Sequence, residues 1–255
     1  MCYSKNMKKV NVLWTGGLDS SFRVCELARL LGDGVIQPYY IRDRTRGSIK
    51  YELSAISRIT KYLRNHPATV ATLNDVIIIE DYDIKPDKEI TEAWEYCREK
   101  FKLGSQYDYL ARFAKQYGVK LEIGLENGQG RSKAENTIKN ELKLKEVEEG
   151  AYHAFVMDAD KTTSLAGRLF RDLIIPLPLF EMTKLQEAEQ LRKWGMEEVI
   201  GMTWFCHRPV FGLPCGHCNP CKDCLNEGMA YRVPKLGYAL GICGRIYYGI
   251  KRRIR

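Results

Sequence analysis

Asn11-Val-Leu-Trp-Thr-Gly-Gly-Leu-Asp-Ser-Ser21 lays a strand, a glycine turn and a helix start end to end. Val12, Leu13 and Trp14 form the short apolar run of a buried strand, and Phe22 to Leu31 carries apolar residues at helical spacing. Between them Gly16 and Gly17 allow a tight turn with no side chain in the way. The turn opens onto a helix N-terminus, where free N–H groups and the positive dipole end attract an anion. Thr15, Ser20 and Ser21 add hydroxyl donors, and pyrophosphate is the expected guest. Asp19 suits two roles, a helix cap or a Mg²⁺ ligand beside the phosphates. Neither Gly-x-x-x-x-Gly-Lys-Ser/Thr nor Gly-x-Gly-x-x-Gly occupies this turn, which excludes a kinase-type or dinucleotide loop.

Outward from the turn, strand-like runs at Val10 to Trp14, Val35 to Ile41, Val76 to Glu80 and Lys120 to Leu125 alternate with helical spacing at Lys50 to Arg64 and Tyr107 to Tyr117. That alternation predicts an α/β fold with a doubly wound parallel sheet covered on both faces. Ligands of such sheets sit beyond the carboxyl ends of the strands, where strand order reverses. Gly16, Gly17, Tyr40 and Leu125 to Gly130 are expected at that edge. The lysine-rich segment Asn127 to Gly150 reads as a mobile loop leading into a charged helix. Arg42, Arg44 and Arg46 follow the second strand, and alternating guanidinium groups there suit either phosphates or a substrate carboxylate, or a plain solvated strand end.

The chain of 255 residues, 45% hydrophobic, has room for one α/β domain and a small appendage. Its net charge of +8 is uneven, because Lys251-Arg-Arg-Ile-Arg255 carries four positive charges. Such a tail suits nucleic acid, an anionic membrane or an acidic partner, or simply solvent. No signal peptide or long apolar span is evident, so a cytoplasmic chain without disulfides is expected. Five of the nine cysteines fall in Cys206-(x8)-Cys215-Gly-His-Cys218-Asn-Pro-Cys221-Lys-Asp-Cys224. The spacing turns successive thiolates toward a common centre, as in a tetrahedral zinc site or the start of an iron–sulfur run. Five cysteines and His217 exceed the four ligands that zinc needs.

Thr15-Gly-Gly-Leu-Asp-Ser20 resembles the Ser-Gly-Gly-x-Asp-Ser signature of the PP-loop ATP pyrophosphatases, with Thr for the first Ser. Those enzymes split ATP between its α- and β-phosphates and adenylylate a substrate oxygen. Ile175-Pro-Leu-Pro-Leu-Phe-Glu-Met-Thr-Lys184, then Gly201-Met-Thr-Trp-Phe-Cys206 and the cysteine cluster, narrow the resemblance to the 7-cyano-7-deazaguanine synthases of queuosine biosynthesis. Residues 10–31 and 174–228 carry it. The resemblance implies ATP held by Leu13, Trp14, Thr15, Gly16, Gly17, Leu18, Asp19, Ser20, Ser21 and Tyr40, with Asp19, Ser20 and Lys184 in the chemistry. It implies Mg²⁺, a zinc ion on Cys206, Cys215, Cys218 and Cys221 with Cys224 as a spare, and a homodimer. The implied domains are a PP-loop ATPase at 8–200, a zinc-binding segment at 201–228 and a basic tail at 229–255.

By the same resemblance the reaction is an ATP-dependent ligation, in which the carboxylate of 7-carboxy-7-deazaguanine is adenylylated and converted with ammonia to the nitrile. Two departures bear on the substrate. Tyr39-Tyr-Ile-Arg-Asp-Arg-Thr-Arg46 stands where the family carries Tyr-Gly-Gln-Arg-His, and nothing between Ile123 and Ser164 reproduces its Asp-x-x-Gly-Tyr-Pro-Asp-Cys-Arg segment. They leave room for a paralogue that adenylylates a different acceptor in a defence or specialised pathway. A non-catalytic nucleotide- or RNA-binding module is the third possibility.

Overall fold

The computed structural model describes residues 9–242, so the basic run Lys251 to Arg255 lies outside the described residues. In chain order the first elements are β1 (Lys9–Leu13), α1 (Leu18–Leu30), β2 (Val35–Arg42), α2 (Ile49–Asn65), β3 (Thr72–Leu73) and β4 (Ile77–Glu80). Then follow α3 (Lys88–Phe101), α4 (Gln106–Tyr117), β5 (Leu121–Glu122), α5 (Lys133–Glu141), β6 (Leu144–Glu149) and β7 (Tyr152–Met157). The last are α6 (Ala166–Phe170), β8 (Leu173–Leu177), α7 (Lys184–Lys193), α8 (Glu198–Met202) and α9 (Asn219–Asn226).

The strands form one sheet in the order β3-β2-β1-β5-β8-β7-β6, with β4 also on β2. Pairing is parallel from β3 and β4 through β8, with Leu13 opposite Tyr39 and Val12 opposite Glu122. The chain leaves β1 toward β2 on one side and reaches β5 on the other, so the switch point lies between the ends of β1 and β5. Alternation along the strands divides the apolar residues between two faces. Val10, Val12, Ile36 and Tyr40 pack under α1 and α2, whereas Tyr39, Ile41, Leu121, Ile123 and Ile175 pack under α3 and α4. Two cores, one per face, confirm the α/β layering.

One edge corrects the sequence expectation. β6 and β7 form an antiparallel hairpin, from Leu144 opposite Met157 to Glu149 opposite Tyr152, and β7 joins β8 antiparallel. The sheet is therefore mostly rather than wholly parallel, and the charged helix in 127–150 ends at Glu141. β6, Leu-Lys-Glu-Val-Glu-Glu, is a half-solvated edge strand with hardly any apolar signal, and its charges oppose pairing with another chain. The expected strand Lys120 to Leu125 shortens to Leu121–Glu122 for a local reason: beyond it, Gly124 meets the first turn of α1.

Arg23, buried in α1, ties this edge to the rest of the molecule. Its guanidinium donates to both Glu122 carboxylate oxygens at 2.8 and 2.9 Å, to Glu26 at 2.6 Å and to the Leu177 carbonyl at 3.0 Å. Two buried carboxylates are thus held by one buried cation that spans α1, β5 and β8.

Candidate active site at the sheet switch point

Gly16 has φ +71°, and a Cβ there would lie 2.7 Å from the Glu52 carbonyl, so only glycine fits the turn against α2. The Trp204 N–H donates to the Gly16 carbonyl at 2.8 Å, which straps the turn to the C-terminal half of the chain. Thr15 N–H and the Thr15 hydroxyl both meet Ser20 Oγ, at 3.3 and 3.2 Å. Gly17 caps α1 with no side-chain hydrogen bond, so the first-turn N–H groups keep their capacity to bind an anion. Asp19 is therefore not the cap. It sits in the first turn, and its Oδ1 is buried without a hydrogen-bond partner.

What surrounds Asp19 was not legible in the motif. Glu126, just beyond β5, and Glu187, on α7, each bring a carboxylate oxygen close enough that all three groups lie within 4.8 Å of one another. Lys184 sits at the start of α7, where Thr183 and Gln186 form a reciprocal capping box. Its ammonium bonds Glu126 and approaches Glu227 Oε2 at 3.1 Å. Burial pushes the Glu126 carboxyl up to about 8, with the Asp19 carboxylate adding to the effect. Burial, then Asp19, also raises Glu187 well above the carboxylate range. For Lys184 burial works the other way, but Asp19, Glu126 and Glu227 outweigh it and keep the ammonium charged.

Asp19 and Lys184 open on a cleft of about 300 Å³ that also includes Leu13, Thr15, Gly17, Leu18 and Ser20 among its lining. Arg46 lines it too and donates to Gln106 at 3.1 Å. The facing wall comes from the C-terminal segment: Phe205, His207, Pro220, Asp223 and Arg232. Arg232 lies over the Phe205 ring and donates to Thr203 Oγ1 at 2.6 Å, while Trp204 stacks on Tyr51 with ring centres 4.5 Å apart. Burial and the neighbouring Arg46 lower the His207 pKa.

The remaining sequence candidates lie apart from the lining. Trp14 is fully buried and donates to Ser21 Oγ at 3.0 Å, which fixes the root of the turn. Tyr40 points to α2 and donates to Glu52 Oε2 at 2.7 Å. Arg42 pairs with Glu80 and Arg44 with Asp81, both along the β4 side of the sheet, so of the three arginines the structure brings only Arg46 to the cleft.

Cys206, Cys215, Cys218 and Cys221 gather into one group. Three of their Sγ–Sγ separations are 3.4, 3.9 and 4.0 Å, against the ~3.8 Å edge of a tetrahedron with Zn–S bonds near 2.3 Å. The donor set fits one tetrahedral ion, and such edges leave no room for the several irons of a cluster. The Cys215 N–H donates to Cys206 Sγ at 3.2 Å, as expected beside a thiolate. Cys224 lies outside the group and bonds the Met229 carbonyl at 3.1 Å, and His217 Nε2 faces the Tyr238 carbonyl at 2.9 Å. Residues 235–242 are helical, and Gly237 and Gly241 press against Pro214 and Cys215, so this part of the expected tail packs on the cysteine centre.

No family model matches the sequence, and no curated protein matches it. Among solved structures the chain is similar to a 4-thiouridine synthetase crystallised with RNA and bound ATP, at 17% identity and a TM-score of 0.39. The match covers 93% of this chain and 53% of that one, so the chain spans about half the length of that protein. What the fold and the site define is a mostly parallel α/β protein with a glycine turn at the sheet's switch point and a four-cysteine centre behind it. Among the described residues no helix is long and apolar enough to cross a membrane.

Proposed function

We propose that the chain is an ATP-dependent enzyme of the PP-loop pyrophosphatase type, resembling the 7-cyano-7-deazaguanine synthases, that activates a carboxylate by adenylylation. The observation that carries this reading is the Thr15 to Ser20 turn opening on an uncapped helix N-terminus at the switch point, with Lys184 facing it from α7. The first-turn N–H groups and Ser20 hold the departing pyrophosphate. Lys184 and Arg46 offset the charge that develops as the acceptor carboxylate attacks the α-phosphorus. The bond from that phosphorus to the β-phosphate's bridging oxygen breaks, and pyrophosphate leaves. Ammonia then attacks the acyl carbon, AMP departs, and an amide forms. Loss of the amide oxygen to a second ATP gives the nitrile.

Asp19, Glu126 and Glu187 are the groups that would hold Mg²⁺, which supplies charge neutralisation at the phosphates. Cys206, Cys215, Cys218 and Cys221 would hold zinc, which closes its coordination sphere and contributes to folding. His207 lines the cleft wall, where its ring would face the acceptor.

The departures at Tyr39 to Arg46 and between Ile123 and Ser164 favour a second reading, the same activation of a different carboxylate. Incubation with ATP, ammonia and 7-carboxy-7-deazaguanine separates the two. Stoichiometric AMP and pyrophosphate with that acid support the synthase, and release only with other carboxylates supports the paralogue. ATP binding with no cleavage under any of these conditions would leave a nucleotide-binding module.

A further inference from the structure

We propose that the hairpin between Cys206 and Cys215, with Phe211 at its tip, is a docking finger for single-stranded nucleic acid. The inference does not depend on the ATP chemistry proposed above, because it follows from the hairpin's own backbone and the groups beside it.

Val210 and Leu213 exchange both backbone hydrogen bonds at 3.0 Å, so Phe211 and Gly212 alone make the turn. Their φ values are +48° and +83°, the positive pair that a type I′ turn requires. Gly212 meets that requirement freely, but a bulky side chain in the left-handed region is strained. Asparagine suits the first position of such a turn, and it is at home in water. Phe211 instead presents its ring to solvent, at 89% exposure. Neither turn geometry nor burial accounts for a phenyl ring here. The hairpin holds the strained residue because both its ends are fixed: Cys206 and Cys215 belong to the four-sulfur group, and the Cys215 N–H donates to Cys206 Sγ at 3.2 Å.

The surroundings select the occupant. Residues 207–214 contain no acidic side chain, and Arg208 is exposed without an ion-pair partner among the described residues. Behind its tip the hairpin lies on the start of α2: a Cβ on Gly212 would stand 3.9 Å from the Tyr51 hydroxyl, and one on Gly47 3.8 Å from the His207 carbonyl. Tyr51 stacks on Trp204, and Trp204 in turn faces Phe205 with 6.5 Å between ring centres. Cations accompany these rings, Lys50 over Tyr51 at 4.9 Å and Arg232 over Phe205 at 4.7 Å. Trp204 and His207 also line the cleft, so rings and cations continue from the finger to the cleft wall. Flat rings interleaved with positive charge match the bases and phosphates of a single strand. A lipid surface would use the projecting ring alone and leave the row behind it without a role.

Fluorescence anisotropy of a short labelled oligothymidylate, titrated with the zinc-loaded full chain, tests this directly. The parent should bind, and Phe211→Asn should bind about tenfold more weakly, the scale of one lost base–aromatic stack. The same variant should melt at or above the parent's temperature, because asparagine relieves the turn. Phe211→Trp should keep the affinity, and its added indole emission should be quenched by the oligonucleotide. Lys50→Gln combined with Arg208→Gln should flatten the salt dependence by roughly 0.7 for each phosphate no longer contacted. No binding by the parent, equal binding by Phe211→Asn, or binding by Phe211→Leu as tight as by Phe211→Trp would overturn the proposal. So would binding of the parent to phosphatidylserine vesicles but not to the oligonucleotide. A lower melt for Phe211→Asn would overturn it as well, since the ring would then serve the fold. ATP turnover enters none of these readouts, so a failure of that chemistry leaves them unchanged.

Discussion

Lys184 Nζ lies 3.1 Å from Glu227 Oε2 and at the same time bonds Glu126, so one ammonium joins the start of α7, the chain beyond β5 and the end of the cysteine-bearing α9. The cysteine centre is thereby part of the cleft's construction, because α9 and the residues around it form the wall opposite the glycine turn.

Replacing Lys184 with Met removes the charge that faces the turn. The expected loss in turnover is about 100-fold or more, in the range seen when one preorganised stabilising donor is deleted. Zinc content should be unchanged. Single-turnover AMP release together with metal analysis checks both, and normal turnover in this variant would take Lys184 out of the chemistry.

Cys221→Ser and Cys224→Ser should part company although the residues are one helical turn apart. Cys221 is one of the four gathered sulfurs, whereas Cys224 is spent on the Met229 carbonyl. The first variant should lose zinc and become aggregation-prone, and the second should keep one zinc per chain. Zinc loss from the Cys224 variant alone would mean that a different set of four binds the ion.

The two glycines of the turn are not equivalent. Gly16→Ala forces a side chain onto a positive φ and to 2.7 Å from the Glu52 carbonyl, which should destabilise the chain by about 1–3 kcal/mol. At Gly17 a Cβ meets only ordinary contacts at 3.4 and 3.7 Å, so Gly17→Ala should cost below about 1 kcal/mol, the effect of a poorer helix cap. Denaturant melts of the two variants distinguish them, and an equal or reversed order contradicts the geometry.

Arg23→Met should be among the most destabilising single changes, at roughly 3–5 kcal/mol, because Glu122 and Glu26 are left buried without their cation. Burial already raises the Glu26 carboxyl even with Arg23 present. A carboxyl raised in the folded state holds a proton that the unfolded chain releases, so stability falls as pH rises through that interval. Loss of Arg23 raises the Glu26 carboxyl further, and the variant's deficit should be smaller at pH 5 than at pH 8. A deficit that grows on acidification would contradict the assignment.

The turn, its helix and the cysteine spacing were legible because each is local: a few consecutive residues determine the conformation or bring the ligands together. Glu126 and Glu187 were not, since they reach Asp19 from segments more than 100 residues away in the chain and no short motif joins them. Arg42 and Arg44 looked like binding residues for the same reason in reverse. Their partners, Glu80 and Asp81, lie 38 and 37 residues on, invisible to a local charge pattern. β6 is not legible in the sequence because a polar edge strand gives up the alternation by which strands are recognised.

In the proposed reaction a carboxylate oxygen attacks the α-phosphorus of ATP at the Gly16–Gly17 turn. The most direct measurement uses 7-carboxy-7-deazaguanine labelled with ¹⁸O in its carboxylate, with ATP and ammonia, and mass analysis of every phosphorus product. ¹⁸O should appear in AMP, and Asp19→Asn should abolish the transfer. Label in inorganic phosphate with formation of ADP, or AMP that carries no label, would contradict it.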